Sequence, residues 1–110
     1  MKKDQAETWE RIKDDIHQFC EDCNQFAASL DTPVEHMSES QIRRYVETYN
    51  RTHSELETRM NNIRLTVMGM SDFISAEIRN DALFCIEQSL KSCAEVFRCI
   101  LKMWVVLGGM

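Results

Sequence analysis

Apolar residues recur along this chain at alternating steps of three and four, and the pattern appears three times. In the first segment Trp9, Ile12, Ile16, Phe19, Cys23, Phe26 and Leu30 follow one another without a miss. On an α-helix that spacing lines up a single face. The stripe predicts a helix over residues 4–30. Asp31, Thr32 and Pro33 end it, because the residue before a proline is pushed out of the α region.

A second helix restarts near Glu39. Ser38 with Gln41 has the spacing of a capping box, and Met37 with Ile42 that of a hydrophobic staple. The stripe is Ile42, Val46, Tyr49, His53, Leu56, Met60, Ile63, Val67 and Met70, and Ile74 continues it. Gly69 could stop this helix, but the stripe runs past it, and Arg79, Asn80 and Asp81 form a polar break with good N-cap residues. The expected span is therefore 39–78. The third stripe, Leu83, Ile86, Leu90, Cys93, Phe97, Ile100, Trp104 and Leu107, predicts a helix over 81–107, closed by Gly108 and Gly109.

Every stripe position except His53 is apolar in a chain that is 44% hydrophobic overall. A seven-residue repeat coils helices left-handedly at shallow angles, and short connections make sequential helices antiparallel. The expected fold is all-α, an antiparallel three-helix coiled-coil bundle, forming one domain over residues 1–110. The scarcity of turn formers agrees, since 110 residues hold only three glycines and one proline.

The stretch YNRTHSELETRMNNIRLTVMGMSDFISAEIRND resembles the second helix and following turn of the spectrin repeat, and IEQSLKSCAEVFRCIL is similar to its third helix. Trp9 sits in the first helix as in that family, whereas Phe97 departs from its pattern, standing near where the family usually places a second Trp. The resemblance implies scaffolding and protein binding, with no cofactor and no catalytic residues.

Charge adds a polarity along the chain. Residues 1–40 carry ten acids against four bases, and residues 41–110 carry eight against nine. The first helix is the acidic one. No run of Lys and Arg gathers on one segment, so nucleic acid is not expected as a partner. Five cysteines lack the regular spacing of a secreted disulfide scaffold, and with charges from Lys2 onward no signal peptide is expected. A reducing, cytoplasmic setting is expected. The uncharged stretch from Met103 to Met110 is far below the ~20 residues that span a bilayer.

Catalytic chemistry finds little support. Cys20 and Cys23 form a C-x-x-C, but no second such pair completes a zinc site. Both fall mid-helix, away from the N-terminal position that activates a redox thiol. His17, His36 and His53 are scattered, and the Glu-x-x-His pairs of di-metal bundles are absent. No enzyme, metal or cofactor is expected. His53 is the polar exception in the stripes and is expected to reach solvent or a local backbone partner, the alternative being a polar residue that fixes register. Were it buried neutral, it would make the fold acid-sensitive.

The third segment carries apolar residues on the wrong side. Phe84, Cys85, Cys99, Val105 and Val106 fall opposite its stripe, with Leu101 and Met103 flanking it. A contiguous exposed patch of that kind marks an interface. The expected function is therefore non-catalytic protein binding, as an adaptor, assembly subunit or small inhibitor. The partner is another protein or a second copy, and these seven residues form the contact, centred on 99–106. The alternative is a membrane-surface protein that uses CILKMWVVLGGM as an interfacial anchor.

Overall fold

The computed structural model describes residues 3–70 and 72–108, and these are all-helical, with no strand among them. Four α-helices follow in order: α1 (Lys3–Ala28), α2 (Glu39–Met68), α3 (Ala76–Val96) and α4 (Arg98–Val106). A single 3-10 turn, Val34–His36, lies between α1 and α2. The helices α1, α2 and α3 pack against one another in all three pairings, and α4 packs on α2, α3 and the 3-10 turn. The result is a rod of 56 × 21 × 19 Å.

Each buried hydrophobic side chain lies on one of the three stripes. The main cluster joins Phe19 and Cys23 of α1, Ile42, Val46 and Leu56 of α2, Ile86, Leu90 and Cys93 of α3, Phe97, and Ile100 of α4. A second cluster caps one end with Ile12, Val67, Met70 and Ile74. At the heart of the main cluster the Phe97 ring stacks on Phe26, centroids 4.7 Å apart, and leans on Tyr49 at 5.2 Å.

The capping box forms as the sequence predicts. The Ser38 hydroxyl accepts from the Gln41 N–H at 3.2 Å, and the Gln41 side-chain oxygen accepts from the Ser38 N–H at 2.9 Å. Polar links then fix how α2 meets its neighbours. Arg59 donates to Asp22 of α1 at 2.8 Å, and Arg64 lies 3.8 Å from Glu87 of α3.

Two expected boundaries are wrong. The second helix stops at Met68 and does not run to residue 78. Gly69 caps it, and Ser75, whose hydroxyl accepts from the Ile78 N–H at 3.1 Å, starts α3 five residues before residue 81. Met70 and Ile74 prolong the apolar spacing because they plug the end of the core from a turn, buried at 4% and 6% exposure. Arg79, Asn80 and Asp81 then lie inside α3 as ordinary helical residues.

The third segment is also not one helix over 81–107. It breaks at Phe97, whose N–H turns to the carbonyls of Ala94 and Glu95 in the tighter 3-10 manner. Neither glycine nor proline stands there; the residue at the break is the ring clasped by Phe26 and Tyr49. The expected glycine stop holds at Gly108, whose φ of 84° is left-handed and whose N–H bonds to Val105. Gly109 and Lys2 lie outside the described residues. The first helix ends at Ala28, two residues before residue 30.

Candidate partner-binding surfaces

The seven side chains singled out on the third segment come to four places. Val105 and Leu101 line a groove of about 340 Å³ between α4 and α2, floored also by Tyr49 and Ala94 and edged by Glu95, Arg98 and Lys102. Val106 and Cys99 are exposed elsewhere around α4, and Met103 packs on the core cluster. Phe84 and Cys85 are exposed on α3, and Val105 is some 30 Å further along the helical axis from Phe84 at ~1.5 Å per residue. Exposed Gln88, Lys91 and Glu95 intervene. The continuous face that the sequence suggested is thus divided into separate surfaces.

The C-terminal surface is the most exposed of them. Val105 and Val106 are 69% and 78% exposed, and Leu107, which the stripe would place in the core, is 43% exposed. Helix α4 carries Arg98 and Lys102 and no acid. Arg98 lies 3.7 Å from Glu95, an exposed pair that holds it weakly. Trp104 is turned inward, half-buried beneath the Arg43 guanidinium at 5.7 Å from its ring centre.

A second groove, of about 410 Å³, runs between α1 and α3. Trp9, Ile16 and Cys20 from α1 face Ile78, Ala82 and Cys85 from α3, with Lys13, His17 and Asp81 alongside. Sequence reasoning missed this site because it gave Trp9 and Ile16 wholly to the core. The signal was present in the second series Ile78, Ala82, Cys85, which repeats at four and three on the flank of the α3 stripe.

The thiols and histidines sort by burial. All five cysteines are free. Burial, and then the nearby Cys93 and Cys20 thiols, push Cys23 up to about 12; burial also raises Cys93. These two are inert core residues. His53 is only partly buried, as expected of a residue that reaches solvent. Its side chain is 26% exposed, 3.7 Å from Glu57 and against the Tyr49 ring. Among the described residues no three His, Cys, Asp or Glu side chains gather to hold a metal ion. No described helix is long and apolar enough to cross a membrane.

No protein-family model, no curated protein and no solved structure matches this chain.

Proposed function

We propose that this protein is a non-catalytic binding module, an antiparallel three-helix coiled coil of spectrin-repeat type whose third helix is broken into α3 and α4, and that it docks a partner protein at the α4 end. The observation that carries the reading is the pairing of exposed Val105, Val106 and Leu107 with a groove whose net charge is basic, Arg98 and Lys102 against Glu95. Burying three such side chains yields roughly 1.5–3 kcal/mol each. That gross gain barely meets the ~4–15 kcal/mol that association costs. The partner must therefore add contacts that α4 alone does not supply, and acids facing Arg98 and Lys102 are the complement available. An amphipathic helix with acidic flanks meets both needs, whether from another protein or from the acidic α1 of a second copy.

Interfacial anchoring in a membrane is the weaker reading. Trp104, the side chain such an anchor would project into lipid headgroups, is half-buried beneath Arg43.

The test is the double substitution Val106→Asp with Cys99→Ser, followed by sedimentation velocity, affinity capture from the source cell and liposome flotation. The variant stays helical and loses its partner or its self-association. Unchanged helicity with unchanged association refutes the α4 surface, and flotation of the wild type with vesicles refutes a purely protein partner.

A further inference from the structure

The C-x-x-C of α1 plays no part in the C-terminal surface, and the structure gives its two thiols opposite fates. Cys23 turns into the core near Cys93. Cys20 turns into the α1–α3 groove, where its sulfur lies 4.0 Å from the backbone carbonyl oxygen of Cys85. Given ordinary bond lengths, that sulfur is within about 6.4 Å of the Cys85 Cα. Cys85 lines the same groove and is exposed, while Cys20 is partly exposed. The two are 65 residues apart in sequence and sit on different helices.

We infer that Cys20 and Cys85 form a peroxide-oxidisable thiol pair that closes into a reversible disulfide and staples α1 to α3. The more exposed thiol, Cys85, attacks the peroxide O–O bond as its thiolate, giving a sulfenic acid and one water. The Cys20 thiolate then attacks the Cys85 sulfur and expels a second water. Two thiols and one hydrogen peroxide thus give one disulfide and two waters, with two electrons passing from sulfur to peroxide; a dithiol reductant reverses the step. Closing the bond requires both side chains to rotate and the two helices to shift until the sulfurs meet in disulfide geometry.

The other thiols are badly placed to compete. Cys93 is eight residues beyond Cys85 and Cys99 fourteen, roughly 12 and 21 Å further along the helical axis. Cys23 and Cys93 are buried, out of reach of a peroxide in solution. The apolar walls of the groove, Trp9, Ile16 and Ile78, also favour a small uncharged oxidant over a bulky charged one.

The experiment is treatment of the full chain with hydrogen peroxide, quenching by alkylation, and a non-reducing tryptic map. Cleavage after Lys and Arg places Cys20 and Cys23 together in residues 14–43, and Cys85, Cys93 and Cys99 in three separate peptides, 80–91, 92–98 and 99–102. The expected product is a monomer two mass units lighter in which 14–43 is linked to 80–91. The link is absent in Cys85→Ser and in Cys20→Ser and is retained in Cys23→Ser. The oxidised wild type should also melt higher, on the order of 10 °C, because the bond closes a long loop in the unfolded chain. A dominant link from 14–43 to 92–98, a Cys99-linked dimer, retention of the link in Cys20→Ser, or Cys85 carried on to sulfinic acid without any cross-link would each overturn the assignment. The wild-type map decides the matter even if a variant folds poorly.

Discussion

Replacing Phe97 by alanine tests the packing at its most concentrated point. The ring is 1% exposed, stacked on Phe26 at 4.7 Å and set against Tyr49 at 5.2 Å, at the residue where α3 gives way to α4. Truncating a buried phenylalanine costs roughly 3–5 kcal/mol. Two ring contacts, each worth about 0.5–1.5 kcal/mol beyond area, put this site in the upper half of that range. At about 0.05–0.15 kcal/mol per residue, a chain of this length has a total stability of roughly 5–16 kcal/mol. Phe97→Ala therefore removes from a quarter to most of it. Phe97→Leu keeps most of the apolar volume and loses the ring contacts, so its cost is about 1–3 kcal/mol. Urea unfolding followed by far-ultraviolet circular dichroism measures both, with an unchanged slope expected if only stability moves. A loss below about 1 kcal/mol for Phe97→Ala, or equal losses for the two variants, would refute the role given to the ring.

Other consequences can be checked with the same assay. Leu56→Ala and Leu90→Ala, at 4% and 6% exposure in the main cluster, should each cost about 2–5 kcal/mol; a change under half a kcal/mol would mean the stripe does not face the core. The Cys23 thiol, raised from an ordinary 9.0 to about 12, ties stability to alkali: the folded chain holds that proton while the unfolded chain releases it. Its contribution is full below pH 9 and is lost as pH rises toward 12, at up to about 1.4 kcal/mol per pH unit, with Cys93 and Tyr49 acting in the same direction. Cys23→Ala should flatten that slope, and a profile as steep as the wild type would count against it. Asp22 is held below its ordinary 3.8 first by the Gln18 hydrogen bond and then by Arg59, so its contribution is present above that pH and is lost as acid is added below it. The link is partly exposed, and Asp22→Asn should cost under about 1 kcal/mol; a loss well above that would contradict the weak coupling given to it.

Much of this architecture is legible in the sequence because burial and periodicity coincide. Ile12, Phe19, Ile42, Val46, Leu56, Ile86, Leu90 and Ile100 are all stripe residues and all buried. The start of α2 is equally readable, since Ser38 and Gln41 satisfy backbone groups locally and need no tertiary context. The start of α3 is not. Ser75 caps it by the same local bond, but Met70 and Ile74 keep helical spacing through a turn, and the stripe masks the stop at Gly69. The break at Phe97 leaves no signal in residue type, because its ring packs on residues from α1 and α2 that are remote in sequence.

The surfaces are less legible than the core. Period alone places Phe84 and Val106 on a similar side, yet it says nothing of the charged residues that separate them. His53 shows the converse limit. It keeps the stripe spacing but stands at the edge of the core, where Glu57 and solvent reach it. Cys20 and Cys85 illustrate a third case, since a pairing across 65 residues follows only from how α1 lies beside α3.

The central claim, that a protein partner docks on the α4 end, is tested most directly by amide hydrogen exchange, with the chain free, concentrated and in complex with any captured protein. The account predicts slower exchange in residues 98–107 and around Tyr49 on association, with the outer face of α1 changing only if the partner is a second copy. Protection confined to the α1–α3 groove, or no change at the α4 end in a complex that demonstrably forms, would contradict it.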